Sequence, residues 1–98
     1  MKLIIIRHGE TVENKAGITH GHTHGKLNEL GIKQVSKLAD YLKTEKVDLV
    51  YCSDLGRCKE SLASLLKFIK VRPEYTKLLR ERGRGVFDGG SLDSYIKW

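Results

Sequence analysis

Cysteine, proline, aromatic side chains and long apolar runs are all scarce in this sequence. The two cysteines, Cys52 and Cys58, do not form a Cys-x-x-Cys pair, so we expect no disulfide framework and predict that both are small buried hydrophobic residues. Aromatic residues make up 7% of the chain and are not interleaved with basic ones, which argues against a base-stacking surface for nucleic acid. No apolar stretch approaches the roughly 20 residues of a membrane-spanning helix.

The composition is that of one small globular domain, residues 1–98. The hydrophobic fraction is 40% and the charged fraction is 31%. The net charge is +6, but the lysines are scattered, which predicts a solvated surface rather than a nucleic-acid interface. The apolar run at Met1–Ile6 is too short for a secretory signal and lacks a cleavage site. We therefore expect a cytoplasmic protein with neither a membrane nor a nucleic-acid partner.

Three short segments are predicted to be extended. Lys2–Ile6 is a mainly apolar run, typical of a strand that is buried on both faces of a parallel sheet. Val47–Tyr51 is the second predicted strand, and it ends at Cys52-Ser53. Val71–Pro73 is a short third piece, because Pro73 disfavours a helical conformation of the residue before it.

Two amphipathic helices separate these segments. Asn28 is a suitable N-cap for the first, and the apolar residues after it keep helical spacing as far as Leu42. The second is predicted from about Leu55 to Lys70. The alternation of strands and helices predicts an α/β fold with parallel pairing. Glu10–Thr19 is a loop with room for one helical turn, and Thr76–Trp98 is a loop with a last helical turn near its end.

An arginine and a histidine stand together at the end of the first predicted strand. Open α/β sheets bind their ligands just past the carboxyl ends of such strands. Arg7 can hold an anion, His8 can act as a nucleophile or base, and Gly9 allows the backbone to approach a ligand closely. The sequence therefore predicts an anion clamp beside a reactive imidazole.

Four motifs follow the predicted elements in order along the chain. They are Arg7-His8-Gly9-Glu10-Thr11 with Asn14, the segment His20–Gly31, Ser53-Asp54-Leu55-Gly56-Arg57, and Leu79-Arg80-Glu81-Arg82 with the glycine-rich residues after it. Together they resemble the histidine phosphatase superfamily, which includes the cofactor-dependent phosphoglycerate mutases. The resemblance covers essentially the whole chain.

The resemblance implies a three-layer, phosphoglycerate-mutase-like α/β fold with a mostly parallel sheet, incomplete in a chain this short, and an enzyme that needs no cofactor. His8 matches the family histidine that attacks phosphorus and becomes a phosphohistidine. Arg7 and Arg57 match arginines that grip the phosphoryl oxygens, a role that suits a planar guanidinium. Glu81 matches the acid that protonates the leaving oxygen.

Four further residues are expected to border the phosphate or the rest of the substrate. Asn14 matches a family residue that donates to the same phosphate, and Gly9 follows the nucleophile. His20 and Gly21 stand at positions that border the substrate, although Thr or Gln is commoner at the first of them. The partner implied is a small phosphorylated metabolite.

Some positions depart from the usual family residues, and the departures at His20 and His24 create an alternating run of histidines. Asp usually stands at the position of His24, and Pro at that of Lys26. His20, His22 and His24 alternate, so an extended backbone would aim three imidazoles to one side. A Zn or Ni site and a metal-free loop both stay open, and the absence of a metal is favoured.

The chain is about half as long as usual family members, and no histidine follows His24. The resemblance implies that a second phosphate-contacting histidine, and a strand between the first two strands, lie in the absent part. The chain alone is therefore expected to be weakly active or inactive. It can be a truncated fragment, which is favoured, a half that assembles with a complementing carboxyl-terminal half, or a shortened protein that exchanges strands with its own copy.

The residues after Glu81 favour a phosphatase over a mutase. The mutase branch has Glu-Arg-His-Tyr-Gly here, whereas Gly83 and Arg84 follow Glu81 and Arg82 in this chain. We therefore predict a phosphatase of the broad-specificity or sugar-bisphosphate type, which hydrolyses small phosphomonoesters through a phosphohistidine on His8. A non-catalytic phosphate-binding module and a phosphoglycerate mutase are the alternatives.

Overall fold

The computed structural model describes residues 2–83 and 88–90. Within those residues the chain alternates between short strands and helices. In chain order the elements are α1 (Val12–Lys15), α2 (Glu29–Leu42), β1 (Tyr51–Ser53), α3 (Gly56–Leu65), β2 (Glu74–Thr76) and a 3₁₀ helix (Lys77–Leu79).

The two strands lie parallel, and α3 connects them. Tyr51 stands opposite Glu74, and Ser53 stands opposite Thr76. A parallel pair needs a crossover connection, which a helix commonly supplies. The predicted α/β organisation with parallel pairing is therefore confirmed for this pair of strands.

Polar side chains cap the first two helices. The Asn28 side chain accepts a hydrogen bond from the Gly31 N–H at 2.8 Å, so α2 begins where its sequence predicts. At α1 the caps are reciprocal, since Thr11 Oγ1 accepts from the Asn14 N–H and Asn14 Oδ1 accepts from the Thr11 N–H. The predicted helical turn in this loop is confirmed. None of the helices in the described part of the chain is long and apolar enough to cross a membrane.

The core lies where α2 and α3 pack against each other and against β1. Its buried residues are Ala39, Leu42, Cys52, Leu62 and Leu65. Cys52 is buried as predicted, and this burial raises the pKa of its thiol to about 11. Cys58 is half-buried and packs against the same cluster.

The prediction of a buried strand at Lys2–Ile6 is wrong. These residues form no strand, and the side chains of Leu3 and Ile5 are 75% and 86% exposed. A strand is stabilised by the hydrogen bonds of its neighbours, and β1 pairs only with β2 among the described residues. An apolar run shows which side chains a strand could bury, but the backbone hydrogen bonds of a sheet have to come from a neighbouring strand.

Several predicted boundaries also differ from the structure. β1 ends at Ser53 as predicted but begins at Tyr51 instead of Val47, and β2 begins at Glu74, just after the predicted Val71–Pro73 piece. α3 ends at Leu65 instead of Lys70, with Leu66 as its C-cap. The pairing of β1 with β2 sets the strand limits, and this pairing is not visible in local periodicity. The predicted helical turn at 92–98 lies outside the described residues.

Candidate active site

The loop that follows Ile6, residues 7–11, lies against the first turn of α2 and is hydrogen-bonded to both α2 and α3. A Cβ on Gly31 would lie 2.0 Å from the Glu10 carbonyl oxygen, so only glycine permits this approach. The Gly9 N–H donates to Ser61 Oγ of α3 at 3.1 Å, and the Glu10 N–H donates to Gln34 Oε1 of α2 at 2.9 Å. These contacts place His8 between the two helices.

The imidazole of His8 is oriented by its own neighbour in the chain. Its Nδ1 lies 2.7 Å from the Gly9 carbonyl oxygen. A carbonyl oxygen only accepts, so Nδ1 carries the proton and donates it, and the lone pair of the neutral ring lies on Nε2. Burial lowers the pKa of His8, and the nearby Arg57 and Arg7 charges lower it further, although the bond to Gly9 opposes them. The ring is therefore favoured in its neutral, nucleophilic form.

An open cavity of about 410 Å³ lies beside His8. Three of the predicted site residues line it, namely Arg7, His8 and Asn14, together with Glu10 and Gln34. Asn14 Oδ1 already accepts from the Thr11 N–H at 3.1 Å. This contact orients the amide, and its nitrogen is the group of Asn14 that can donate to an anion in the cavity.

Arg57 is the most deeply held charge of the site, with a side chain that is 1% exposed. Its Nη1 donates to the Thr23 carbonyl oxygen, and its Nη2 donates to the Gly21 carbonyl oxygen at 3.1 Å and to Glu81 Oε2 at 2.9 Å. Its Nε is buried and has no hydrogen-bond partner among the residues that the structure describes. An unpaired buried N–H is costly, so this donor is suited to an anionic ligand.

Glu81 and Arg57 form an ion pair that does not line the cavity beside His8. Both charges are nevertheless close enough to influence the pKa of His8. The Glu81 side chain is 36% exposed, so its carboxyl can be reached from solvent. The fold therefore brings Arg7, His8 and Asn14 to one cavity and Arg57 with Glu81 to its neighbourhood.

The segment that carries Glu81 is fixed to the start of α3 by a bidentate ion pair. Arg80 Nε donates to Asp54 Oδ1 at 2.6 Å, and Arg80 Nη2 donates to Asp54 Oδ2 at 2.7 Å. Planar two-bond pairs of this kind are among the strongest charge-assisted contacts. The Arg80 hydrogen bonds hold the pKa of Asp54 below 3.8, its ordinary value.

Asp54→Asn should break the ion pair that holds this segment to α3. It should also make the free energy of unfolding less dependent on pH in the acidic range. A depressed folded-state pKa contributes stability above the unfolded pKa, near 3.8, and that contribution is lost as the pH falls through the lowered value. Urea unfolding from pH 7 to pH 2 should therefore show the largest difference between the variant and the parent at neutral pH, and a vanishing one in strong acid. An equal difference at every pH would contradict this assignment.

His20 packs against His8, and Gly21 contacts Arg57. His20 is buried, its Nε2 lies 2.7 Å from Thr11 Oγ1, and its ring meets the His8 ring edge-on at 5.8 Å between centroids. Burial and the Arg57 charge lower the pKa of His20. Gly21 has φ +52°, and a Cβ there would lie 1.7 Å from Asp88 Oδ1, so the turn that supplies its carbonyl to Arg57 requires glycine.

The three alternating histidines do not gather around a common point. His20 Nε2 contacts Thr11, whereas His24 Nδ1 accepts from the Gly56 N–H at 3.0 Å. In the part of the chain that the structure describes, no three His, Cys, Asp or Glu side chains are grouped as metal ligands. Gly21 has φ +52°, so the extended backbone that would aim all three imidazoles to one side is interrupted after His20.

Sequence reasoning missed three residues that position this site. Ser61 links Gly9 to α3 and also donates to the Arg57 carbonyl oxygen at 2.8 Å. Arg80 anchors the Glu81 segment, and His24 caps α3. The spacing of four between Arg57 and Ser61 places both on one face of a helix, which is the one signal that could have identified Ser61.

The site thus combines an oriented imidazole, two arginines and a carboxylate. The model of the histidine phosphatase superfamily (branch 1) matches residues 3–97. The chain belongs to this superfamily. The chain is 42% identical over 103 residues to a broad-specificity phosphatase from Saccharomyces cerevisiae. The match covers 100% of this chain and 45% of that protein.

Two further members of the histidine phosphatase superfamily are similar. The fructose-2,6-bisphosphatase of Bos taurus is 39% identical over 95 residues, covering 92% of this chain and 35% of that protein. The solved alpha-ribazole phosphatase of Shigella flexneri has a TM-score of 0.86 at 29% identity, covering 94% of this chain and 46% of that one. This likeness confirms the predicted phosphoglycerate-mutase-like α/β fold. The chain spans less than half the length of these relatives.

Proposed function

We propose that this chain is the nucleophile-bearing part of a phosphatase that hydrolyses small phosphomonoesters through a phosphohistidine on His8. The observation that carries the proposal is the 2.7 Å contact between His8 Nδ1 and the Gly9 carbonyl oxygen. It fixes one tautomer and leaves the Nε2 lone pair available for attack. Superfamily membership and the phosphatase relatives support the same chemistry.

The proposed reaction has two balanced steps. His8 Nε2 attacks phosphorus, the bond from phosphorus to the ester oxygen breaks, and Glu81 gives that oxygen a proton. Water then attacks phosphorus, the P–N bond breaks, and the Glu81 carboxylate accepts the proton from water. Arg7, Asn14 and Arg57 hold the phosphoryl oxygens and neutralise their charge in both steps.

The ion pair between Arg57 and Glu81 links substrate binding to the protonation state of the Glu81 carboxyl. A phosphoryl dianion that binds Arg57 competes with Glu81 for Nη2, which the carboxylate contacts at 2.9 Å. The dianion also repels a neighbouring carboxylate and so favours its protonated form. In this account, substrate binding itself prepares Glu81 as the acid.

The proposed substrate class is small phosphorylated metabolites. The names of the two curated relatives, a broad-specificity phosphatase and a fructose-2,6-bisphosphatase, support phosphatase activity on such molecules. Gly83 and Arg84, which stand after Glu81-Arg82 where the mutase branch has His-Tyr, support hydrolysis over mutase transfer.

A second candidate function is a non-catalytic phosphate-binding module. It is favoured by one observation, that Glu81, the proposed acid, is paired with Arg57 at 2.9 Å and does not line the cavity beside His8. Such a module would keep Arg7, His8 and Arg57 as an anion site but would not turn substrate over.

Two measurements on the same preparation distinguish these functions. The phosphatase proposal predicts that the chain binds inorganic phosphate and hydrolyses p-nitrophenyl phosphate slowly but above background. The binding module predicts phosphate binding without hydrolysis. A chain that neither binds phosphate in calorimetric titration nor releases nitrophenolate would contradict both.

A further inference from the structure

The first turn of α3 is capped by a residue from another segment of the chain. Leu55, the residue before the helix, makes no side-chain capping hydrogen bond. Instead, His24 accepts the first two N–H groups of the helix. The Gly56 N–H donates to His24 Nδ1 at 3.0 Å, and the Arg57 N–H donates to the His24 carbonyl oxygen at 2.8 Å. The cap therefore acts directly on the backbone of the buried arginine.

The same segment holds the other end of Arg57. The carbonyl oxygens of Gly21 and Thr23 accept from its guanidinium, so the turn before His24 fixes the side chain while His24 fixes the backbone. The contact with the helix is tight, because a Cβ on Gly56 would lie 2.9 Å from the Cβ of His24. Arg57 is thus fixed at both ends by three residues of one turn, Gly21, Thr23 and His24.

His24 can cap α3 only in one state of its ring. A backbone N–H only donates, so His24 Nδ1 must carry a lone pair and the ring proton must lie on Nε2. This is the opposite tautomer to that of His8, whose Nδ1 donates to a carbonyl. A side chain that keeps an acceptor at this point can replace the imidazole, whereas an aliphatic one cannot.

We propose that His24 is a positioning residue that fixes Arg57 for phosphate binding through its Nδ1 acceptor. The proposal rests on the proposed function, in that phosphate is the ligand it assigns to Arg57. His24 contacts the arginine's backbone and its neighbour, and its effect on the ligand passes through that arginine.

The first test compares three variants by calorimetric titration with inorganic phosphate. His24→Ala removes the acceptor and should weaken phosphate binding about three- to tenfold, the range expected for loss of one helix cap. His24→Asn retains a side-chain acceptor and should stay within about twofold of the parent. His22→Ala removes an exposed histidine of the same turn and should leave the affinity unchanged. Equal weakening by His24→Ala and His24→Asn, or by none of them, would overturn the proposal.

The second test asks whether the effect passes through Arg57. The Arg57→Lys background is expected to retain weak phosphate binding, and adding His24→Ala to it should cause no further loss of affinity. Ser36→Gly in α2 is the control, because it destabilises an exposed helical position away from this cap. The same fold loss from His24→Ala in both backgrounds would show a general effect on stability and overturn the positioning role.

A spectroscopic measurement separates this proposal from the phosphatase proposal. Long-range ¹H–¹⁵N spectra of the phosphate-free chain should show His24 protonated on Nε2, and the Arg57 Nε–H signal should shift in His24→Ala but not in His24→Asn. Finding His24 protonated on Nδ1, or an unchanged Arg57 signal, would overturn the inference. These readings need no ligand, so they hold even if phosphate binding and the proposed function fail.

Discussion

His8→Ala is expected to reduce hydrolysis of p-nitrophenyl phosphate to background. In a chain assembled with a complementing carboxyl-terminal half, the rate should fall by about three orders of magnitude or more. The variant removes the Nε2 lone pair that is proposed to attack phosphorus. Arg7 and Arg57 would remain, so phosphate should still bind. Initial rates and a phosphate titration on the same preparation measure the two effects separately.

His22→Ala is the matched control for this experiment. It removes an imidazole from the neighbouring turn and leaves the His22 N–H, which donates to Asp88 Oδ2 at 3.0 Å, in place. Its hydrolysis rate should match the parent. Hydrolysis that survives in His8→Ala at the rate of the His22→Ala control would refute the assignment of the nucleophile.

Arg57→Lys should weaken inorganic phosphate binding by about ten- to a hundredfold although it keeps the positive charge. A lysine has one donor atom and cannot reach the Gly21 and Thr23 carbonyl oxygens, Glu81 and a phosphate oxygen at once. Buried carbonyls that lose their donors should also reduce the free energy of unfolding by roughly 1–3 kcal/mol. Calorimetric titration and urea unfolding measure the two losses.

Arg72→Lys provides the control for this substitution. Arg72 is exposed, so the same chemical change there should alter neither phosphate affinity nor stability beyond about 0.5 kcal/mol. Equal phosphate affinities for Arg57→Lys and the parent would mean that the buried guanidinium is not part of the anion site.

Local chemistry made part of this fold predictable. Asn28 marks the start of α2 because its side chain can take the Gly31 N–H, a rule that needs only neighbouring residues. The alternation of apolar segments with amphipathic ones predicted parallel pairing, which β1 and β2 form. The placement of Arg7, His8 and Asn14 beside one cavity follows from a motif in which these residues are close along the chain.

Contacts between distant segments explain what the sequence did not reveal. Lys2–Ile6 has the composition of a buried strand, but none of the described residues pairs with it. The cap that His24 gives to α3 joins residues that are far apart in the chain, and so does the Arg80–Asp54 pair. Neither contact leaves a periodic signal, since each depends on how two turns meet in space.

The position of the phosphoryl group on the trapped chain tests the central claim most directly. The chain is incubated with a ³²P-labelled phosphomonoester, quenched in alkali because phosphohistidine is acid-labile, digested and mapped. The geometry of the Gly9 contact predicts label on His8 at Nε2, since Nδ1 donates its proton to the carbonyl oxygen at 2.7 Å. Label on Nδ1 of His8 or on another residue, or hydrolysis without any labelled histidine, would contradict the account.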